Sequence, residues 1–432
     1  MGLRLGYQDA SLVLNPVRAD AAKYFTAAFN LRHQQAYSLD SPGTQAPKTR
    51  TDLSPGYPIF LSLFLAPDSN MEVAYVQIRR TQALLGAITV LFTFLLARQS
   101  LSLPWAGMAG GLTALSPHLI AMDDYLLTES LFTFLLMFGT LALAISWRRE
   151  SRPLALVSGI LLALSARVRA IGLFLPIVLA PTLFLPGPLR SGARYRSRAL
   201  SAALVVVGVL VVFGMHSIFV DLYVTNADTV QEEPEQFVRW SRPLSYLDGA
   251  FRPPRFAVEG RSHVAAEPGD TEWKLPTPES FWDQPGAYLK WNLGGKLLTL
   301  WSFDNAYHGD VYIYSMKRKG FEENRLLKIV HSSMRALHWP LFGLTLLAPV
   351  LWIHQRRSSG LRTEQMALVI PMLAFAYLLG ALLFLSWLPR YTIPIRPLSY
   401  VLAAASLSQL TTLALQRKSR GLADTSPSST PE

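Results

Sequence analysis

Hydrophobic and polar positions alternate along this chain in long blocks rather than at the short periods of a soluble fold. A membrane-crossing helix needs about 20 predominantly apolar residues. Blocks that meet or approach this length lie near 82–98, 104–120, 126–146, 154–167, 171–186, 199–219, 335–353, 365–388 and 394–414. They predict nine helices. Residues 154–186 read either as one long tilted helix or as two short ones around Arg167 and Arg169.

Positive charge separates these two readings, because Lys and Arg concentrate in cytoplasmic connections. With two helices, one side collects Arg98, then Arg148, Arg149 and Arg152, then Arg190, Arg194, Arg196 and Arg198. The same side also takes Arg356, Arg357 and Arg362, and then Arg417, Lys418 and Arg420. The opposite short connections carry only Arg167, Arg169 and Arg390. A single helix would place the four-arginine loop outside, so two helices are expected. Residues 1–81 and about 221–330 then face outward as long segments. The second holds five of the ten tryptophans (Trp240, Trp273, Trp282, Trp291 and Trp301), which suit interfacial anchoring or sugar stacking. Residues 1–420 are expected to form one membrane-embedded domain, followed by a disordered tail at 421–432. Met1 to Asp20 is mixed polar, so nothing apolar precedes the first outer segment. The expectation is a late start and a missing first span.

Composition agrees with the block pattern. The chain of 432 residues is 50% hydrophobic and 16% charged, well under the roughly 25% charged residues of soluble domains. The net charge of +11 is chiefly a topology signal and does not argue for nucleic acid. Absence of cysteine excludes disulfides, thiolate metal sites and cysteine nucleophiles. None of the eight histidines forms an HExxH motif, and there is no P-loop or GxGxxG. No metal site is therefore assigned, although a carboxylate-bound divalent cation is compatible with the sequence.

The unusual polar residues collect on the outer face in four clusters. Asp20 and Tyr24 lie in RADAAKYFTAAFNL, a helical pattern from Ala19 to Leu31. Asp20 reads as an N-cap or as a general base at the membrane surface. Pro55-Gly-Tyr-Pro58 breaks the chain before an apolar run too short to span, so Tyr57 opens an interfacial helix or a plain turn. Met122-Asp-Asp-Tyr-Leu-Leu-Thr-Glu129 brings Asp123, Asp124 and Glu129 to a helix start. Acidic residues favour a first turn, but one entering the membrane is costly and functionally suspect. Arg167, Arg169 and Arg390 with Tyr391 break the charge rule. They either snorkel to headgroups or bind phosphate, which the forked guanidinium suits. Carboxylates to deprotonate a hydroxyl and arginines to steady a departing phosphate equip a site for group transfer. A transporter or lipid flippase is the rival reading, and a non-catalytic scaffold is a third.

In this order and spacing the clusters resemble a known family. Asp20 with Tyr24, Ser54-Pro-Gly-Tyr-Pro-Ile-Phe-Leu61, Leu127-Thr-Glu-Ser-Leu-Phe132, Ala166-Arg-Val-Arg-Ala170 and Arg390-Tyr-Thr-Ile-Pro394 are similar to the GT-C-fold membrane glycosyltransferases. The nearest type is bacterial glycosyltransferase family 39, related to protein O-mannosyltransferases and lipid A aminoarabinose transferase. The resemblance implies an all-α polytopic fold in the bacterial inner membrane. It also implies an inverting transfer from a polyprenyl-phosphate sugar to a lipid, glycan or protein hydroxyl on the outer face. Asp20 takes the position that activates the acceptor, and Glu129 that of the second-loop acid, with Asp124 as its competitor. Tyr24, Tyr57, Arg167, Arg169, Arg390 and Tyr391 fall to substrate binding. Two departures are visible. The family has a span before its first acidic loop, and that loop often carries adjacent acids where this chain has Asp20-Ala21, leaving Asp52 as a candidate helper.

Overall fold

The computed structural model describes residues 1–40, 53–66, 71–186, 194–220, 222–223, 294–305, 308–358, 363–386 and 388–424. Asp52, four of the outer-loop tryptophans (all but Trp301) and residues 425–432 lie outside the described residues. The described chain is almost entirely helical. Helices α1 (Gly2–Ala10), α2 (Asp20–His33) and α3 (Gly56–Ser62) come first, followed by α4 (Met71–Arg98), α5 (Leu103–Leu115) and α6 (Pro117–Met122). Next are α7 (Glu129–Arg149), α8 (Arg152–Val168), α9 (Leu175–Leu179) and α10 (Arg194–Val220). Then come α11 (Lys296–Leu300), α12 (Gly320–Glu323), α13 (Arg325–Ser358), α14 (Val369–Leu385) and α15 (Arg396–Asp424).

Six helical segments among the described residues are long and apolar enough to cross a membrane: Glu72–Arg98, Glu129–Arg149, Tyr195–Val220, Arg325–Arg357, Gln365–Leu385 and Pro389–Gln416. The other three expected spans are helical but short or broken. The stretch 104–120 splits into α5 and α6 at Ser116-Pro117, where proline disfavours helical geometry in the residue before it. The stretch 154–167 is α8, of 17 residues. The stretch 171–186 is divided into α9, which carries Pro176, and flanking 3₁₀ turns, the second of which carries Pro181. Two spans also begin earlier than hydropathy suggests. Helix α4 starts at Met71 and α13 at Arg325, so polar helical turns project into the segments expected as outer loops. At the other end, α15 runs through Gly421 to Asp424. The first residues of the expected tail are thus helical, the helix continuing past Gly421, a residue that more often ends one.

The helices form neighbouring pairs, α7 with α8, α8 with α10, α13 with α15, and α4 with both α5 and α7. One continuous cluster of buried apolar residues runs through most of them. Helices α8 and α10 approach so closely that a Cβ on Gly208 would lie 2.7 Å from the backbone nitrogen of Ile160. A Cβ on Gly159 would collide with the Val205 carbonyl. Small residues allow such backbone contact where the surroundings are as apolar as the helices themselves. The N-terminal segment is tied down by a two-stranded ladder, with β1 (Leu12–Val13) antiparallel to β2 (Met316–Arg318). The two long segments expected outside the membrane therefore meet on one face.

Gly159→Leu should lower stability by about 1–3 kcal/mol, the usual cost of overpacking, and reduce Tm in detergent. Gly343→Leu, with nothing within 4 Å of the added Cβ, should leave Tm unchanged or slightly raised.

Candidate functional site

Asp20 is the first residue of α2, and its N-cap position is filled by Ala19. Ala19 has φ 49° and ψ −123°, a conformation costly for an L-residue by about 1–3 kcal/mol. No side-chain cap bond forms there, so the capping expectation for Asp20 does not describe its contact. Its carboxylate instead accepts from Arg390 Nη2, across 370 residues of chain, and lies 3.7 Å from Lys23 Nζ. Partial burial works to raise the Asp20 pKa, but Arg390 and Lys23 outweigh it and hold the carboxyl below its ordinary value.

Arg390 lies in the 3₁₀ segment Pro389–Ile395 that leads into α15. Its Nη2 also donates to Tyr391 Oη at 3.1 Å, and its guanidinium stands 4.9 Å from that ring centroid. A second guanidinium, from Arg169, lies 4.8 Å from the same ring. Tyr391 is thus shared by two cations, an arrangement each ring–cation contact favours. Arg169 Nη1 reaches 3.0 Å from Glu129 Oε1, an ion pair whose N–H is not aligned on the acceptor. Glu129 opens α7 and is only 3% exposed. The positive end of the helix favours a carboxylate there.

Arg167 and Arg169 are two residues apart yet diverge. Arg167 is in the last turn of α8, 3.9 Å from the Phe213 ring of α10. Arg169 follows the helix in extended conformation, φ −144° and ψ 120°, which swings it toward α7. The same bend receives the Pro-Gly-Tyr-Pro turn. A Cβ on Gly56 would lie 2.7 Å from the Arg167 carbonyl oxygen, so only glycine permits α3 to sit there. Tyr57 is then completely buried. Its hydroxyl donates to Gln82 at 2.8 Å, and Gln82 Nε2 donates to the carbonyls of Asp123 and Tyr125. Tyr24 meets the Tyr57 ring edge-on at 5.4 Å. Burial, with Glu129 nearby, pushes its hydroxyl pKa up to about 12, so it acts as a neutral hydrogen-bonding group.

Asp123 and Asp124 are deeply buried and separately held. Asp123 accepts from Arg4 and from Ser130 Oγ at 3.0 Å. Asp124 accepts from Arg79 Nε at 3.0 Å and Nη2 at 2.9 Å, and from Ser11. Burial raises both carboxyls, that of Asp123 to about 6. Asp124 thus braces α1 and α4 and is not brought to the Asp20 cluster. A small gap with room for about one water is lined by Glu129, Asp123, Arg4, Ser130 and Thr133 among others. Among the described residues no group of three or more His, Asp or Glu is placed to hold a metal ion. Arg4 and Arg79 were not singled out from sequence. They lie in or beside a long outer segment, where charge counting over short loops gives no signal.

Residues 53–186 match the family model described as dolichyl-phosphate-mannose-protein mannosyltransferase. That span holds the Pro-Gly-Tyr-Pro turn, the acidic connection and the Arg-Val-Arg bend, and the chain resembles GT-C-fold glycosyltransferases there. Asp20 and Arg390 fall outside it. The Archaeoglobus fulgidus oligosaccharyltransferase in its apo form is 14% identical with TM-score 0.47, over 97% of this chain and 51% of its own. The same organism's AglB with an inhibitory peptide and a dolichol-phosphate is 13% identical with TM-score 0.48, over 99% and 51%. ArnT from Cupriavidus metallidurans bound to undecaprenyl phosphate is 13% identical with TM-score 0.40, over 95% and 76%. The chain spans about half the length of the archaeal structures. No curated protein matches it significantly.

Asp20 should titrate below the usual aspartate value of about 3.9, so the stability from its ion pair is present above that pH and is lost as pH falls through the depressed value. Carboxyl-labelled NMR titration of Arg390→Gln should show Asp20 titrating upward of its wild-type value, because burial is then opposed by Lys23 alone. An unchanged titration would separate Asp20 from Arg390.

Proposed function

We propose that this chain is an integral membrane glycosyltransferase that moves a sugar from a polyprenyl-phosphate donor to a hydroxyl acceptor of the cell envelope. The site faces the periplasmic side of a bacterial inner membrane. The observation that carries this reading is the cluster of Asp20, Arg390, Tyr391, Arg169 and Glu129, drawn together from four parts of the chain. Two carboxylates and two guanidiniums balance there, and Arg390 Nε remains buried without a partner. A phosphodiester arriving at this point finds donors in the geometry that guanidinium supplies.

The chemistry follows from the charges. The acceptor oxygen attacks the anomeric carbon, the bond from that carbon to the phosphate oxygen breaks, and the electron pair leaves with the polyprenyl phosphate. Arg390 and Arg169 stabilise the charge gathering on the leaving group. Asp20 takes the acceptor proton as general base. Without donor, Arg390 holds Asp20 as a weak base. A phosphate that draws Arg390 to itself frees the carboxylate and strengthens it, so donor binding prepares the base. Glu129 keeps Arg169 in place and, with Asp20, positions the acceptor. Tyr24, packed edge-on against the buried Tyr57 ring, adds a neutral hydroxyl beside the cluster. The family model over residues 53–186, described by mannose transfer from a dolichyl phosphate, supports a lipid-phosphate donor.

The test supplies membranes containing the protein with radiolabelled polyprenyl-phosphate sugars and extracted acceptor fractions. Asp20→Asn should lower transfer by about 10²–10⁴-fold and Arg390→Gln by about 10²–10³-fold, with normal insertion in both. Full transfer by Asp20→Asn removes it as base, and movement of lipid across vesicles without covalent product would favour a flippase.

A further inference from the structure

Of the three arginines expected at the site, Arg167 alone stays away from the Asp20 cluster. Arg169 and Arg390 each meet a carboxylate. Arg167 has neither a carboxylate nor a hydrogen-bond partner among the described residues, and its Nε is enclosed. Its guanidinium carbon lies 3.9 Å from the centroid of the Phe213 ring on α10, a contact that favours the cation without neutralising it. His216 follows Phe213 by three residues and stands on the same side of α10. It is close enough for the Arg167 charge to act on it. Its ring stacks on Phe219, with 6.4 Å between centroids, and its Nδ1 is enclosed without a partner.

Helix α10 sets the depth of this pair in the bilayer. It begins with Arg194, Arg196 and Arg198, and Arg198 lies 3.8 Å from Glu150. His216 comes eighteen residues after Arg198, a rise of about 27 Å against about 30 Å of hydrocarbon. Arg198 and the Arg167–His216 pair therefore stand at opposite headgroup levels. Arg198 has a carboxylate at its level, and Arg167 has none. Towards the membrane centre, Val206 and Leu210 precede Phe213 by seven and three residues. They share its face of α10 and are exposed. An unpaired cation at headgroup level beside an exposed apolar strip matches a lipid phosphate followed by its acyl chain. Such a ligand lies against the outside of the helix pair and needs no cavity. It meets the guanidinium Nη groups and His216 Nε2, which are without partners among the described residues. The alternative, a guanidinium that merely reaches past the headgroups to water, gives no preference for an anionic lipid.

We propose that Arg167 and His216, beside the Phe213 ring, hold the phosphate of an anionic bilayer phospholipid whose acyl chain lies along Val206 and Leu210. Arg167 supplies the charge and the forked N–H donors, and His216 supplies a further ring N–H. The site shares no residue with the Asp20 cluster and takes a lipid that is neither donor nor acceptor.

The test uses the purified full-length protein, stripped of lipid in an uncharged detergent, with Tm as readout. Short-chain phosphatidylglycerol, short-chain phosphatidylcholine, farnesyl phosphate and inorganic phosphate are titrated separately. Phosphatidylglycerol should raise Tm with a midpoint at least tenfold lower than that of phosphatidylcholine. Arg167→Gln should weaken the phosphatidylglycerol midpoint at least tenfold, whereas Arg390→Gln should leave it unchanged. His216→Leu, which keeps the guanidinium, should weaken it severalfold and serves if Arg167→Gln does not fold. Equal midpoints in the wild type and in both Arg167→Gln and His216→Leu overturn the proposal, as does an equal response to the two phospholipids. A response to farnesyl phosphate or inorganic phosphate without one to phosphatidylglycerol overturns it too, assigning the site to the carrier lipid or to a free anion.

Discussion

A charge buried near the end of a membrane helix is costly unless it is paired or hydrogen-bonded, because desolvation is not otherwise recovered. Arginine–carboxylate contacts meet this demand in the described chain, among them Arg4 with Asp123, Arg79 with Asp124, Arg169 with Glu129, and Arg390 with Asp20. Each joins segments distant in sequence, and together they tie α1, α2, α4, the α6–α7 connection, the α8 end and the entry to α15. Apolar packing can bring such helices side by side in many ways. The ion pairs select the arrangement, since a misplaced helix would leave a buried charge alone.

The four contacts are not equivalent. Asp123 and Asp124 are enclosed and fully engaged by arginine and hydroxyl donors, which is how a brace is built. Asp20 is a third exposed, and Arg390 retains an unused N–H. Arg169 meets Glu129 without an aligned hydrogen bond. The latter two pairs are therefore less completely satisfied than the two braces. That asymmetry, more than the count of charges, is what the proposed function rests on.

Much of the helical architecture is legible in the hydropathy, and α2 appears almost where its pattern puts it, Asp20–His33 against Ala19 to Leu31. Breaks are less legible. Hydropathy averages over Ser116-Pro117 and over Pro176 and Pro181, and it ends at polar turns that helices α4 and α13 carry past the apolar block. The outer-face exceptions Arg169 and Arg390 come to one ring, Tyr391, but the sequence cannot reveal that Arg167 turns to Phe213 instead. Spacing along the chain says little about direction once a helix gives way to extended backbone at Arg169. The roles of Arg4 and Arg79 are equally hidden, since charge in a long outer segment carries no topological signal and their partners lie 119 and 45 residues away.

Arg396 brings the same constraint to bear from the other side. Arg396 is held by a neutral imidazole, a backbone carbonyl and an indole face, with no carboxylate against it among the described residues. A neutral imidazole can orient a guanidinium but cannot neutralise it. Two arginines six positions apart, Arg390 paired with a carboxylate and Arg396 with a histidine, therefore meet the cost of burial in different ways.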